Sequence, residues 1–138
     1  VKLPAGHFYY RFVNEAHASK ASQYVAGPWW FEFDQFHRIE RFAKQHGYSL
    51  GYSARLHAAI LYEWSEIKGL VRARLTQPVL AWKGSGKQIR TKVRDPRDQK
   101  AMTPMQSIHQ VYQLCIPGLS DSGHPFSSIE VKKIDSKF

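Results

Sequence analysis

The chain has 138 residues, of which 43% are hydrophobic, enough to bury the core of one domain but not of two. Its 20 lysine and arginine residues exceed its 11 acidic residues, and the net charge of +9 favours a polyanionic partner such as a nucleic acid. A single cysteine excludes an internal disulfide and a cysteine-based zinc cluster, and no apolar run reaches the roughly 18 residues that cross a bilayer. We therefore expect residues 1–138 to form one domain without a membrane-spanning segment.

The first half of the chain alternates between strand and helix patterns. Residues 6–13 are rich in aromatic and β-branched side chains and predict a strand, after which Asn14 caps a short helix over residues 15–22. Residues 27–33 predict a second strand. Asp34 is the predicted N-cap of a helix over residues 35–46, because apolar side chains recur there at helical spacing and Gly47 supplies a stop.

The second half turns from helix to strand. A longer helix is predicted with Ser53 as its cap and Gly69 as its terminator. Apolar residues alternate with arginines over residues 70–75, which predicts a half-buried strand, and residues 78–82 continue it or form another. The last predicted strands cover residues 108–116 and about 128–134. This order of elements predicts an α+β domain whose sheet is mostly antiparallel in its later half.

The same periodicities predict the core. Trp29 and Trp30 are adjacent, so on a strand they face opposite sides, one packing inward and the other exposed or lining a cleft. The residues predicted to be buried whatever the function are Phe36, Ile39, Phe42, Leu56, Ile60, Val71, Leu75, Val111 and Ile116.

A polar residue, Gln113, opens a short apolar run that ends at Pro117. A side chain in that position lies at the mouth of a buried strand and can reach a cleft, which indicates an enzyme. The seven histidines are scattered, and none has the spacing that places two imidazoles on one helical face, so no metal site is predicted.

The excess positive charge is concentrated in one stretch that is poor in large apolar residues. Two interpretations are open: a solvated loop, or a surface that contacts the phosphates of a nucleic acid. The residues that would make those contacts are Lys83, Lys87, Arg90, Lys92, Arg94 and Arg97.

Four segments together resemble a known family. They are similar to the ADP-ribosyltransferase-like toxin domains at the C-termini of Rhs and other polymorphic bacterial effectors. The segments are Tyr10-Arg11, residues 27–34 (GPWWFEFD) with the helix ending Arg41-Phe-Ala43 that follows them, residues 71–83 and residues 113–117 (QLCIP). The resemblance implies a split, mostly antiparallel β-sheet core flanked by helices. It also implies cleavage of NAD, as co-substrate, at the bond between nicotinamide and ribose.

The resemblance assigns roles to individual residues. Arg11 would grip the pyrophosphate of NAD, and Gln113 would act in catalysis at the start of a later strand. The family commonly has a glutamate in place of Gln113 and a serine or threonine in place of Phe31, so Glu32 or Asp34 would supply the negative charge, unless the register is shifted towards Gln110. The side chains expected to contact the cofactor are Tyr10, Arg11, Trp30, Phe31 and Tyr52, and the catalytic candidates are Gln113 and Glu32.

The resemblance thus implies transfer of ADP-ribose from NAD to a macromolecule, and the charge favours RNA as that macromolecule. An NAD glycohydrolase that uses water as acceptor is an alternative, and a nucleic-acid-binding module or metal-independent nuclease is another. By resemblance, the domain would belong to a secreted effector that acts in the cytoplasm of a target cell and is neutralised by a cognate immunity protein. No contact with a membrane is expected.

Overall fold

The computed structural model describes residues 1–58, 67–85, 89–90, 104–105, 111–120 and 122–135. Within these ranges a short 3-10 helix, Ala18–Lys20, precedes the α-helices α1 (Ala21–Tyr24), α2 (Phe33–His46) and α3 (Leu50–Ala58). The strands are β1 (Lys2–Leu3), β2 (Phe8–Val13), β3 (Trp29–Glu32), β4 (Gly69–Leu75), β5 (Val79–Leu80), β6 (Trp82–Ser85), β7 (Ile89–Arg90), β8 (Pro104–Met105), β9 (Tyr112–Cys115) and β10 (Phe126–Lys133). No helix in the described ranges is long and apolar enough to cross a membrane.

Six strands form the main sheet, in the order β10-β4-β2-β3-β9-β6. The pairs β1–β5 and β7–β8 form two small ribbons, and each strand pairing in the described chain is antiparallel. The prediction of an α+β domain with a mostly antiparallel sheet is therefore confirmed. The central strands come from distant parts of the sequence, since β3 pairs with β9.

The main sheet is covered on both faces. The helix face packs against α2 and α3, and its buried cluster includes Tyr10, Phe12, Phe31, Phe36, Ile39, Ala54, Leu70 and Val111. We call the opposite side the ribbon face. The β1–β5 ribbon and the residue after it cover this face with Leu3 and Ala81. Its buried cluster also includes Tyr9, Val13, Val25, Trp30, Val71, Ala73, Leu75, Leu114, Ile116 and Phe126.

Helix α2 and strand β4 follow the sequence patterns closely. Phe36, Ile39 and Ala43 form the buried stripe of α2, which ends at Gly47 in the left-handed conformation, with φ of 69°. In β4 the buried residues Val71, Ala73 and Leu75 alternate with arginines, as expected for period two. Phe42 and Leu56 are half-buried instead of buried, and Ile60 lies outside the described residues.

Several predicted helix ends are wrong. The short helix is shifted to residues 18–24, and α2 begins at Phe33, so Asp34 lies in its first turn. Helix α3 begins before Ser53: the hydroxyl of Ser49 accepts a hydrogen bond from the Tyr52 backbone N–H at 3.2 Å and caps the helix. Gly69 is the first residue of β4 and does not end a helix. Because glycine has no Cβ, the Glu15 carbonyl can lie close to it.

Candidate functional site

Arg11 lies where strands β2 and β3 begin to diverge. The ladder between them consists of the pairs Tyr9–Glu32 and Tyr10–Phe31. Arg11 is next along β2, and its pairing with Val71 of β4 places it on the ribbon face. Its side chain bridges to β3 and to the end of α1 in place of further backbone pairing.

Two backbone carbonyls hold the Arg11 guanidinium. Nε donates to the Tyr24 carbonyl oxygen at 3.0 Å, and Nη1 donates to that of Trp29 at 3.1 Å. The group lies directly against Gly27, where a Cβ would overlap Nη2 and Cζ. A guanidinium has five N–H groups; two of those of Arg11 donate to these carbonyls, and within the described part of the chain the other three have no hydrogen-bond partner.

The charge of Arg11 is not matched by a carboxylate among the described residues. Burial lowers the pKa of Arg11 from its ordinary value, although an arginine stays protonated at neutral pH. Removing a cation from water without a carboxylate partner costs free energy, and a bound anion would offset that cost. Arg11 is therefore a candidate for binding an anionic group.

Glu32 lies on the same face, at the other end of the short β2–β3 ladder. Its Oε1 atom is 2.7 Å from Nζ of Lys83 in β6, and this hydrogen bond is the main reason that the pKa of Lys83 is raised. Nζ of Lys83 also lies 5.4 Å from the centre of the Tyr112 ring. Burial, with a smaller contribution from the charge of Glu32, raises the pKa of Tyr9. Arg11, Glu32, Lys83 and Tyr112 thus share the ribbon face.

Three of the predicted cofactor contacts are core residues. Trp30 is fully buried, stacks on Phe126 with ring centres 4.5 Å apart, and donates through Nε1 to the Gly27 carbonyl at 2.8 Å. Tyr10 stacks on Phe36 at 4.3 Å, and Phe31 is also buried. Their predicted contact with NAD stays a prediction, and their burial argues against it.

Tyr52, the fourth predicted aromatic contact, is half-buried on α3. Its ring meets that of Tyr48 edge-on, with centres 5.2 Å apart. Because α3 packs on the helix face, Tyr52 is not brought together with Arg11.

Gln113 is the main departure from the expected arrangement. Trp30 pairs with Leu114, and both belong to the ribbon-face core, so the preceding residue Gln113 projects from the helix face. Arg11, Trp30 and Gln113 were expected to converge on one cleft, but only the first two share a face. The reason is that successive side chains of a strand point to opposite faces of the sheet. Because Leu114 is buried on the ribbon face, Gln113 must project from the helix face.

The predicted basic surface is described only in part. Lys83 is engaged with Glu32, and the backbone of Arg90 belongs to β7. Lys87, Lys92, Arg94 and Arg97 lie outside the described residues. Asp34, the alternative acid, accepts a hydrogen bond from Nε2 of Gln35 at 3.1 Å. Among the described residues no group of side chains could hold a metal ion.

The sequence did not predict a pair of exposed tryptophans on the helix face. Trp29 and Trp82 are both paired with Cys115, from the two sides of β9, and are 55% and 76% exposed. The Trp29-Trp30 pair signalled that one ring would face outward. Its partner Trp82 emerges only from the pairing register.

No protein-family model, curated protein or solved structure matches this chain. The functional assignment therefore depends on the geometry of the site.

Proposed function

We propose that this chain is an NAD-dependent ADP-ribosyltransferase toxin domain that transfers ADP-ribose to a macromolecule, with RNA as the favoured acceptor. The observation that carries the proposal is Arg11, a half-buried guanidinium held by two carbonyls and without a carboxylate partner in the described chain. A pyrophosphate supplies the missing negative charge and accepts bidentate hydrogen bonds from the remaining N–H groups. Because the guanidinium is already fixed, little ordering is needed when NAD binds.

The divergence of the strands around β3 supports the same proposal. Phe31 and Glu32 pair with β2, whereas Trp29 and Trp30 pair with β9. We interpret this change of partner along four residues as the split of the sheet, with the NAD cleft beside Arg11. The fold is thereby proposed to be ADP-ribosyltransferase-like.

Glu32 supplies the proposed catalytic carboxylate, because it shares the face of Arg11 whereas Gln113 does not. As the bond from ribose C1′ to the nicotinamide nitrogen breaks, nicotinamide leaves as a neutral molecule with the bonding electrons. The ribose becomes an oxocarbenium ion, whose positive charge a nearby carboxylate stabilises. The acceptor nucleophile then bonds to C1′ and loses a proton. Lys83 orients the Glu32 carboxylate for this role.

The test is incubation of the purified domain with NAD labelled in its adenine ring, with and without RNA or protein. We expect release of nicotinamide together with labelled RNA. Labelled protein would change the acceptor class, free ADP-ribose alone would identify a glycohydrolase, and no cleavage of NAD would refute the enzyme and favour a nucleic-acid-binding module or nuclease. Neutralising Lys87, Arg90 and Lys92 together should abolish labelling of RNA and leave slow hydrolysis of NAD intact.

Two matched variants test the site within that assay. Glu32→Gln keeps the shape but removes the charge, and it should slow nicotinamide release about a hundredfold or more. Glu130→Gln is the control, because Glu130 is an exposed glutamate of β10 that pairs with Arg72. Equal rates for the two variants would remove Glu32 from the mechanism, and Gln113→Ala would then identify whether that residue takes its place.

A toxin of this kind requires an immunity protein in the cell that makes it. We propose that this partner is acidic where it covers the domain, since the net charge of the chain is +9. We also propose that the domain is secreted as part of an effector and acts in the cytoplasm of a target cell.

A further inference from the structure

Trp29, Cys115 and Trp82 form a row across three neighbouring strands on the helix face. Cys115 of β9 pairs with Trp29 of β3 on one side and with Trp82 of β6 on the other. Both tryptophans are mostly exposed, whereas Cys115 between them is half-buried. Large exposed aromatic rings are unusual on a protein surface and mark contact sites when they occur together.

The spacing of the row suits one flat ring between the two indoles. Neighbouring strands lie about 4.8 Å apart, so the backbones of Trp29 and Trp82 are about 10 Å apart. Stacked aromatic rings have their centres at least about 4.5 Å apart, so a ring with an indole on each side needs about 9 Å in total. Cys115, whose side chain is small, is the residue that stands between the two tryptophans in this row.

We propose that Trp29 and Trp82 are a clamp that stacks an unpaired base of the RNA acceptor. This inference depends on the proposed function, whose acceptor it specifies as single-stranded. Bases in a duplex are already stacked on one another, so only an unpaired base can enter between two side chains. The net charge of +9 favours a polyanion as the molecule that carries the ring.

The position of the clamp favours RNA over NAD. Arg11, the proposed anchor of the pyrophosphate, lies on the ribbon face, whereas the clamp lies on the helix face of the same hydrogen-bonded sheet. A cofactor anchored at Arg11 therefore has the sheet between its rings and the clamp. An RNA strand is long enough to pass round the edge strand β6, so that one of its bases lies in the clamp while another nucleotide reaches the ribbon face.

The binding test uses a fluorescent single-stranded RNA oligonucleotide, without NAD, and follows its anisotropy. Trp29→Ala and Trp82→Ala should each weaken binding about tenfold, because one stacking contact is lost. The dependence of affinity on salt should not change, because the phosphate contacts remain. Tyr48→Ala is the matched control, since Tyr48 is exposed but lies beyond the far end of the 14-residue helix α2.

Two further ligands separate stacking from charge. An abasic oligonucleotide with the same phosphates, and a duplex of the same sequence, should bind equally well to the parent protein and to both tryptophan variants. If the variants bind single-stranded RNA normally, the clamp is refuted. If they lose affinity for NAD instead, it belongs to the cofactor, and if they lose affinity only for an acidic protein, it is a protein-docking surface.

Cys115 provides a second readout that needs no substitution, because it is the one cysteine of the chain and lies within the clamp. Single-stranded RNA should slow its alkylation by a thiol reagent, and the abasic oligonucleotide should not. An unchanged alkylation rate at saturating RNA would overturn the proposal. Release of nicotinamide is measured separately, so a failure of the transferase function is distinguishable from a failure of the clamp.

Discussion

Gly27 controls the position of the Arg11 guanidinium. Gly27→Ala introduces a Cβ that overlaps Nη2, so the guanidinium must move away from the carbonyls of Tyr24 and Trp29. Losing these bonds should lower the free energy of unfolding by about 1–3 kcal/mol and weaken NAD binding. Urea denaturation and NAD titration measure the two effects.

Gly84→Ala is the control for that substitution. A Cβ at Gly84 meets no described atom within 4 Å, so this variant should keep both stability and NAD affinity close to the parent values. Arg11→Lys keeps the positive charge, but a lysine ammonium cannot make both the two hydrogen bonds to the carbonyls and a bidentate contact with the pyrophosphate. If Gly27→Ala binds NAD as the parent does, the anchoring role of Arg11 is wrong.

From the sequence, the face of the sheet that a residue occupies was predictable only where buried and exposed residues alternate along the strand. The pair Trp29-Trp30 behaves as expected, with one ring buried and the other exposed. Arg11 is different, because its neighbours in β2 are apolar on both faces of the sheet. The alternation of polar and apolar residues therefore does not indicate on which face of the sheet Arg11 lies. That Arg11 and Gln113 lie on opposite faces follows only from the pairing of β2, β3 and β9.

At the scale of elements, alanine substitutions at Gly69 and Gly47 should destabilise the protein for different reasons, a steric clash at Gly69 and an unfavourable backbone conformation at Gly47. Gly69→Ala places a Cβ 2.7 Å from the Glu15 carbonyl oxygen and from Cγ2 of Val13, so β4 or the segment after β2 must shift. We expect a loss of about 2 kcal/mol in the free energy of unfolding. Gly47→Ala meets no described atom, but its φ of 69° disfavours a side chain and should cost about 1 kcal/mol.

Thermal and urea unfolding of the two variants measure that contrast. A smaller effect at Gly69 than at Gly47 would mean that the backbone around Glu15 moves freely, and the close packing of β4 against it would be wrong.

The elements themselves were predictable to different degrees. Helix α2 and strand β4 have clear periodicities, and both were found at or close to the expected residues. The start of α3 was not: Ser53 was the predicted cap, whereas the hydrogen bond from the Tyr52 N–H identifies Ser49 as the residue that caps the helix. The strand order of the sheet depends on pairing between distant segments, for which one sequence carries no local signal.

At the scale of the whole molecule, alkaline pH should weaken the fold. The pKa of Tyr9 is raised above its ordinary value of 10.0, and that of Lys83 above 10.5, so the folded state binds these protons more tightly than the unfolded chain. Stability from both groups is complete below pH 10 and is lost as pH rises further. The contribution of Lys83 is reduced by its exposure to water.

Urea denaturation between pH 8 and about pH 12 measures this decline. Tyr9→Phe should lose less stability over that range than the parent protein, because the buried hydroxyl no longer ionises on unfolding. Tyr48→Phe, which alters an exposed tyrosine away from both Tyr9 and Lys83, is the control and should decline as the parent does. An identical decline in all three proteins would exclude a contribution from Tyr9.

The order of strands in the main sheet governs how the domain can fold. Strand β3 pairs with β2 near it in the sequence, but it completes its pairing only with β9, which follows it by about 80 residues, and the Ala81 backbone N–H donates to the Val1 carbonyl at 2.8 Å. Closing such long loops before any contact forms makes folding slow. The pairing of β3 with β9 forms only after residues 112–115 have been synthesised, whereas the contacts of Arg11 with Tyr24 and Trp29 span at most 18 residues, so the proposed anion site can form before β9 is in place.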